Sequence, residues 1–344
     1  MRSKRWIADE GRWRVESRES MTERRSRISG TGWRGSWLAL SLLATAPAFA
    51  EQYVITPETG DLVGEARSTE ARHEDTLIDI AREHNLGYDE IVNANPGVDP
   101  WLPGAGVRIE LAKHRVLPMA ERRGIVINLP EHRLYYFPKA RAGQDAEVYS
   151  YPVSIGKMDW RTPLGGTKIV QKVKDPQWYP PQSVRDEHAK NGEILPTVVP
   201  AGPDNPLGQF AMRLGIPGGS YLIHGTNKPA GIGMQVTHGC MRLYPEDIES
   251  LFGMVAVGTP VTIVNQPFKA GWQGGRLWVE VHPALKEDVV EPPTLTDLTR
   301  LVVEATREAL VPVDWSAVQR AFAESRGIPV PVTMAVPAAT VASD

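Results

Sequence analysis

Glycine and proline fill 60 of the 344 positions, 31 and 29 respectively, and that density favours strands and turns over long helices. The length suggests about two domains. With 42% hydrophobic and 23% charged residues, the chain has the apolar content of a globular protein with a sizeable core. From Gly124 onward the pattern is β. Ile125–Leu129 and Arg133–Phe137 flank Pro130-Glu131-His132, a hairpin signal. Val148–Ile155, Lys168–Val173, Phe210–Leu214, Tyr221–His224 and Thr259–Val264 are further strands, with helices expected near 184–190 and from Tyr244 through Phe252.

Ahead of this region, residues 66–111 form a compact unit. Leu77, Ile80, Ala81 and His84 fall at helical spacing. Asp89 is expected to cap a second short helix that ends at Asn93-Ala-Asn-Pro-Gly97. Val107–Leu111 alternates as a strand. Residues 51–65 read as an extended lead-in. In the tail, Leu277–Val281 is a strand, Thr294 to Asp297 is a capping box for a helix through Leu310, and Asp314 caps another. The Pro- and Ala-rich Val330–Asp344 is expected to be disordered.

Leu38–Ala46 is a short apolar run preceded by Arg24, Arg25, Arg27 and Arg34 and followed by Ala48-Phe49-Ala50. That is the layout of a signal peptide cleaved after Ala50, and the run is too short to span a bilayer. Met21 offers an alternative start. Residues 51–344 hold 28 Lys+Arg against 36 Asp+Glu, a net charge of −8, which argues against nucleic acid as a partner.

The single cysteine, Cys240, lies in Thr237-His-Gly-Cys-Met-Arg242, downstream of Ile223-His224-Gly225-Thr226. A free cysteine is most often a small buried hydrophobe, but His, Gly and Arg around this one make poor core material. A thiol with histidine as base and arginine nearby suits nucleophilic acyl chemistry. Either His224 or His238 can be the base. Gly239 lets backbone N–H groups converge on an oxyanion. His238, two residues before the thiol, is expected to point to the opposite face. His224, His238 and Cys240 could supply three zinc ligands, but no fourth ligand stands at suitable spacing, and neither metal nor cofactor is expected. The other histidines read as surface or core fillers.

The stretch from His-Gly-Thr at 224–226 to Thr-His-Gly-Cys-x-Arg at 237–242 resembles the catalytic motif of the L,D-transpeptidases of the YkuD fold, and the likeness runs over Gly124–Val264. The 66–111 unit resembles a LysM module, a family that binds N-acetylglucosamine-containing glycans. The resemblance implies a mainly β fold with short helices (α+β): a small LysM-like βααβ module, 51–113, then a YkuD-type β-sandwich catalytic domain, 123–266. An N-terminal extension and signal peptide, 1–50, would precede them and a C-terminal extension, 267–344, would follow. It further implies Cys240 as nucleophile and His224 as base, oriented by the Gly225 carbonyl. His238, Gly239 and Cys240 would supply oxyanion N–H groups, and Arg242 and Thr237 would contact substrate. The implied substrate is peptidoglycan: attack on the diaminopimelate–D-Ala bond of a tetrapeptide stem, release of D-Ala, and transfer to an amine. That amine would belong to another stem or to the C-terminal lysine of an outer-membrane lipoprotein, in the periplasm. A cysteine peptidoglycan hydrolase or carboxypeptidase, and a non-catalytic wall-binding protein, are the rival readings.

Overall fold

The computed structural model describes residues 7–9, 12–14, 51–140, 143–157, 160–218, 220–285, 291–309 and 311–334. Two compact units divide the chain, 1–46 and 47–344. In the first, β1 (Ile7–Asp9) pairs antiparallel with β2 (Arg12–Arg14). The apolar run at 38–46 and Ala48–Ala50 lie outside the described residues. No helix among the described residues is long and apolar enough to cross a membrane.

The second unit opens with β3 (Glu51–Ile55) and β4 (Leu62–Val63). Next come β5 (Arg67–Glu70), α1 (Leu77–Glu83), α2 (Tyr88–Ala94) and β6 (Arg108–Leu111), with β5 and β6 antiparallel. This is the expected strand–helix–helix–strand order. Its core gathers the helical-period residues Leu77, Ile80 and Ala81 with Leu86, Ile91 and Ile109. Thr76 caps α1 through a reciprocal pair with Asp79. The cap of α2 is Gly87 rather than the expected Asp89. Glu90 reaches back to accept the Gly87 N–H at 2.7 Å, so the first turn is closed from inside the helix.

After β7 (Arg115–Val116) the chain enters β8 (Gly124–Asn128), β9 (Arg133–Phe137), β10 (Ala146–Pro152), β11 (Ile155–Gly156) and β12 (Gly165–Lys174). There follow α3 (Gln182–Lys190), β13 (Phe210–Leu214), β14 (Leu222–His224), β15 (Gln235–Thr237), β16 (Met241–Arg242), α4 (Pro245–Met254) and β17 (Pro260–Val264). Nine strands form one sheet in the order β16-β14-β13-β12-β17-β8-β9-β10-β3. The ten-residue β12 lets it curl. Gly165–Lys168 pair with β17, Ile169–Lys174 pair with β13, and a register shift falls between Ile169 and Gln171. Such an irregularity bends a strand and strengthens its twist. The inner face packs Ile125, Ile127, Met212, Leu214, Ile223 and Met241 against Ile248 and Leu251 of α4.

Residues 51–55 are therefore not a lead-in to the small βααβ unit. They form the outer strand of the large sheet, paired with β10. Glu51 ion-pairs with Lys113, Arg115 and Arg133, and Arg133 also contacts Glu90 of α2 at 2.8 Å. These cations overcome the cost of burial and hold the Glu51 carboxyl down at about 2. Buried charges are costly unless paired, and this paired cluster ties α2 of the βααβ unit to the sheet.

Further described strands and helices follow β17. Strands β18 (Phe268–Gln273), β19 (Arg276–Val281) and β20 (Val330–Pro331) form a sheet, covered by α5 (Leu295–Thr306) and α6 (Trp315–Glu324). Thr294 and Asp314 cap the two helices as their sequence predicts. Val330 and Pro331, expected to be disordered, are held by β19 because Val332 buries completely in this second core.

Candidate active site

Two short parallel strands build the site. In β14 and β16, Ile223 pairs with Met241 and His224 with Arg242. Side chains alternate across a strand. Ile223 and Met241 therefore enter the core, while Leu222, His224, Cys240 and Arg242 face the other way and line a cavity of about 640 Å³.

His224 is buried, and its Nδ1 lies 2.7 Å from the Gly225 carbonyl oxygen. A carbonyl only accepts, so Nδ1 carries the proton and Nε2 keeps the lone pair. Burial first, then the Arg242 guanidinium, hold this imidazole down at about 3, against the pull of the Gly225 and Leu207 carbonyls. Burial pushes the Cys240 thiol up, opposed by a backbone contact at Leu222 and by the Arg242 charge. The resting pair is consequently thiol and neutral imidazole. Sγ of Cys240 is half-buried and lies 3.6 Å from the Ser220 carbonyl. Burial also lowers Arg242, whose Nε finds no hydrogen-bond partner among the described residues.

Gly239 has φ +93°, the left-handed region that side chains avoid. The turn it makes is braced on both sides. Thr162 donates to the Gly239 carbonyl at 3.1 Å, and Thr237 donates to the Cys240 carbonyl at 2.5 Å. Thr237 also lines the cavity; it is buried, and its hydroxyl donates to that brace.

His238 does not point away from the thiol. It lines the same cavity. Residues two apart on an extended strand share a face, and the Gly239 turn does not reverse that here. Its Nε2 lies 2.6 Å from Glu187 on α3, and Trp160 packs edge-on at 5.1 Å. Glu187 also bonds Lys157, and the Lys157 and His238 contacts hold its carboxyl down at about 2. No local signal in the Pro-rich 178–206 stretch marks Glu187, because its partners come from two other segments.

The loop between His224 and Cys240 is held by the small unit. Tyr88 N–H donates to Ile232 O at 2.9 Å and Asp89 N–H donates to Gly233 O at 3.1 Å. Ser154 Oγ donates to Gly231 O at 2.7 Å.

Among the described residues, one group of three metal-ligating side chains comes together: Glu131, Glu280 and His282. The Lys269 ammonium already lies 2.8 Å from both carboxylates, so the cluster carries its own cation. His282, expected as a filler, belongs to this network through Glu280 at 2.6 Å.

Residues 122–263 match the family described as the L,D-transpeptidase catalytic domain, YkuD. The chain is 38% identical over 306 residues to a protein named probable L,D-transpeptidase YcfS of Escherichia coli K12, across 86% of this chain and 94% of that protein. It is 39% identical over 254 residues to probable L,D-transpeptidase ErfK/SrfK of the same organism, across 73% and 80%. Probable L,D-transpeptidase YbiS, also from Escherichia coli K12, is 38% identical across 73% and 81%. The likeness to YcfS runs far beyond the catalytic segment and takes in nearly the whole of that relative, and on this ground the chain belongs to the L,D-transpeptidase family of enzymes.

Proposed function

We propose that the protein is an exported enzyme of the periplasm that acts on peptidoglycan through Cys240. The observation that carries the reading is the shared cavity face of β14 and β16, which gathers His224, Cys240 and Arg242. Nε2 of His224 takes the Cys240 proton as sulfur attacks the carbonyl carbon of the diaminopimelate–D-Ala bond. The C–S bond forms, and the oxyanion is held by N–H groups of the His238–Cys240 turn, whose carbonyls Thr162 and Thr237 fix. The C–N bond then breaks, and the imidazolium returns the proton to the departing D-Ala amine. An acceptor amine attacks the thioester, His224 removes its proton, and the thiol is regenerated. The Gly225 carbonyl keeps His224 in the tautomer this requires, and Arg242 orients the donor stem.

The acceptor is another stem or a lipoprotein lysine. The βααβ unit, which exposes Trp101 and Leu102 on the loop after α2, serves as a LysM-like glycan contact. The test is mass spectrometry of the purified protein and its Cys240→Ala variant with a disaccharide-tetrapeptide. Cys240-dependent loss of D-Ala with an acyl adduct or a cross-linked dimer is expected. D-Ala loss with water as sole acceptor favours a carboxypeptidase, and turnover that survives in Cys240→Ala removes the mechanism.

A further inference from the structure

Beside the five motif-derived positions His224, Thr237, His238, Cys240 and Arg242, the cavity wall includes a cation that the catalytic motif does not contain. On β13, Arg213 pairs with Leu222 of β14 on one side and with Gln171 of β12 on the other. All three side chains face the same cavity as Cys240. The Ile223–Met241 pair places Leu222 level with Cys240, so Arg213 lies two strands across from the nucleophile. At ~4.8 Å per strand that is a backbone separation of roughly 10 Å.

Arg213 is exposed, between buried Met212 and Leu214, and it has no ion-pair partner among the described residues. Glu187, a carboxylate near the same cavity, is engaged with Lys157 and His238. Two guanidinium groups therefore flank the thiol from different directions. Arg242 is two residues along the chain, roughly 7 Å away in backbone terms, and Arg213 is farther off across the sheet.

The donor stem offers two carboxylates at matching distances. The D-Ala carboxylate lies close to the scissile carbonyl. The side-chain carboxylate of diaminopimelate lies at the end of a chain of six bonds, roughly 7 Å out at full extension. We propose that Arg213 is a specificity-determining residue that binds this remote side-chain carboxylate and so selects diaminopimelate stems over lysine stems. A lysine stem has a side chain of the same length ending in an ammonium alone, which the guanidinium repels. The chemistry suits arginine, whose planar fork binds carboxylates in bidentate fashion. The inference rests on the acyl-donor reading above.

The experiment compares D-Ala release from two disaccharide-tetrapeptides, one with diaminopimelate and one with lysine at the third position. Hydroxylamine serves as acyl acceptor, so only donor recognition is read. The wild-type enzyme should prefer the diaminopimelate stem by about 10- to 100-fold in kcat/KM, the value of a charge-assisted contact. Arg213→Gln should bring the two substrates to within about two-fold of each other, chiefly by slowing the diaminopimelate stem. Arg213→Glu should reverse the order. Because Arg213 is exposed, neither variant is expected to lose the fold. Equal use of both stems by the wild type, or an unchanged preference in Arg213→Gln, overturns the assignment while leaving Cys240-dependent acyl transfer standing. Absence of D-Ala release from both stems overturns the donor reading and this inference with it.

Discussion

Asn85 Nδ2 donates to Asp247 Oδ1 at 2.9 Å, across 162 positions of sequence, and joins the turn after α1 to the first turn of the helix that follows Arg242. Both residues are buried. Asn85 takes a left-handed backbone, φ +51°, to reach this contact, and Asn is one of the few side chains that tolerates that region. Asn85 Oδ1 and Asp247 Oδ2 find no partner among the described residues.

Burial, then the Glu246 charge, push the Asp247 carboxyl up to about 8, against the Asn85 hydrogen bond and the Arg133 charge. The folded protein thus holds a proton that the unfolded chain releases near the ordinary value of about 4. Stability is full below that value and declines as pH rises from about 4 through about 8. Asp247→Asn removes the ionisable group and supplies an N–H toward the orphan Asn85 oxygen. The variant should match the wild type near pH 4 and exceed its melting temperature on the order of 5 °C at pH 8, measured by thermal unfolding across pH.

Gly233 has φ +81°, and a Cβ there would meet Gly87 Cα at 2.3 Å and Tyr88 N at 2.5 Å. Gly233→Ala should therefore break the Tyr88–Ile232 and Asp89–Gly233 contacts and displace the loop that precedes Cys240. Gly106 shares the backbone strain, φ +78°, but has nothing within 4 Å. Gly106→Ala should cost only about 1–2 kcal/mol of stability and leave turnover intact. Gly233→Ala should lose at least about 10-fold in kcat/KM as well, because small displacements of catalytic groups are expensive. Paired denaturation and turnover measurements separate the two effects.

Lys269 is fully buried between Glu131 and Glu280 and donates to the Val116 carbonyl at 2.6 Å. Lys269→Met leaves two carboxylates facing one another without a cation. The expected loss is about 3–5 kcal/mol in urea unfolding. Because the cluster joins β7, the β8–β9 turn and the C-terminal sheet, the loss should appear as loosened packing of 268–334 in hydrogen exchange.

His224 is neutral at any pH well above about 3, and burial raises the Cys240 thiol. No limb from His224 should appear between pH 5 and 8. The rate of Cys240 alkylation by iodoacetamide should climb through pH 7 and 8 and continue past about 8.5, the ordinary thiol value. A plateau reached below pH 7 would instead reveal a preformed thiolate–imidazolium pair.

The sequence by itself determined the local pieces of this protein. The hairpin signal placed the strands 125–129 and 133–137, side-chain chemistry placed the caps at Thr294 and Asp314, and the His224-to-Arg242 spacing marked the site. These signals are local because they rest on a residue's own backbone and its neighbours within a turn or a pleat. What the tertiary structure alone decided is which faces meet. It moved Glu51–Ile55 from the small unit to the rim of the large sheet and kept Val330 and Pro331 ordered. It turned His238 into the thiol's cavity beside Glu187, and brought Arg213 to the same wall. The alternating run Phe210–Leu214 marks Arg213 as the polar position of its strand, but only the register of β12, β13, β14 and β16 puts it level with Cys240. Strand order and register are fixed by burial of the whole core at once, and no short window of sequence contains that information.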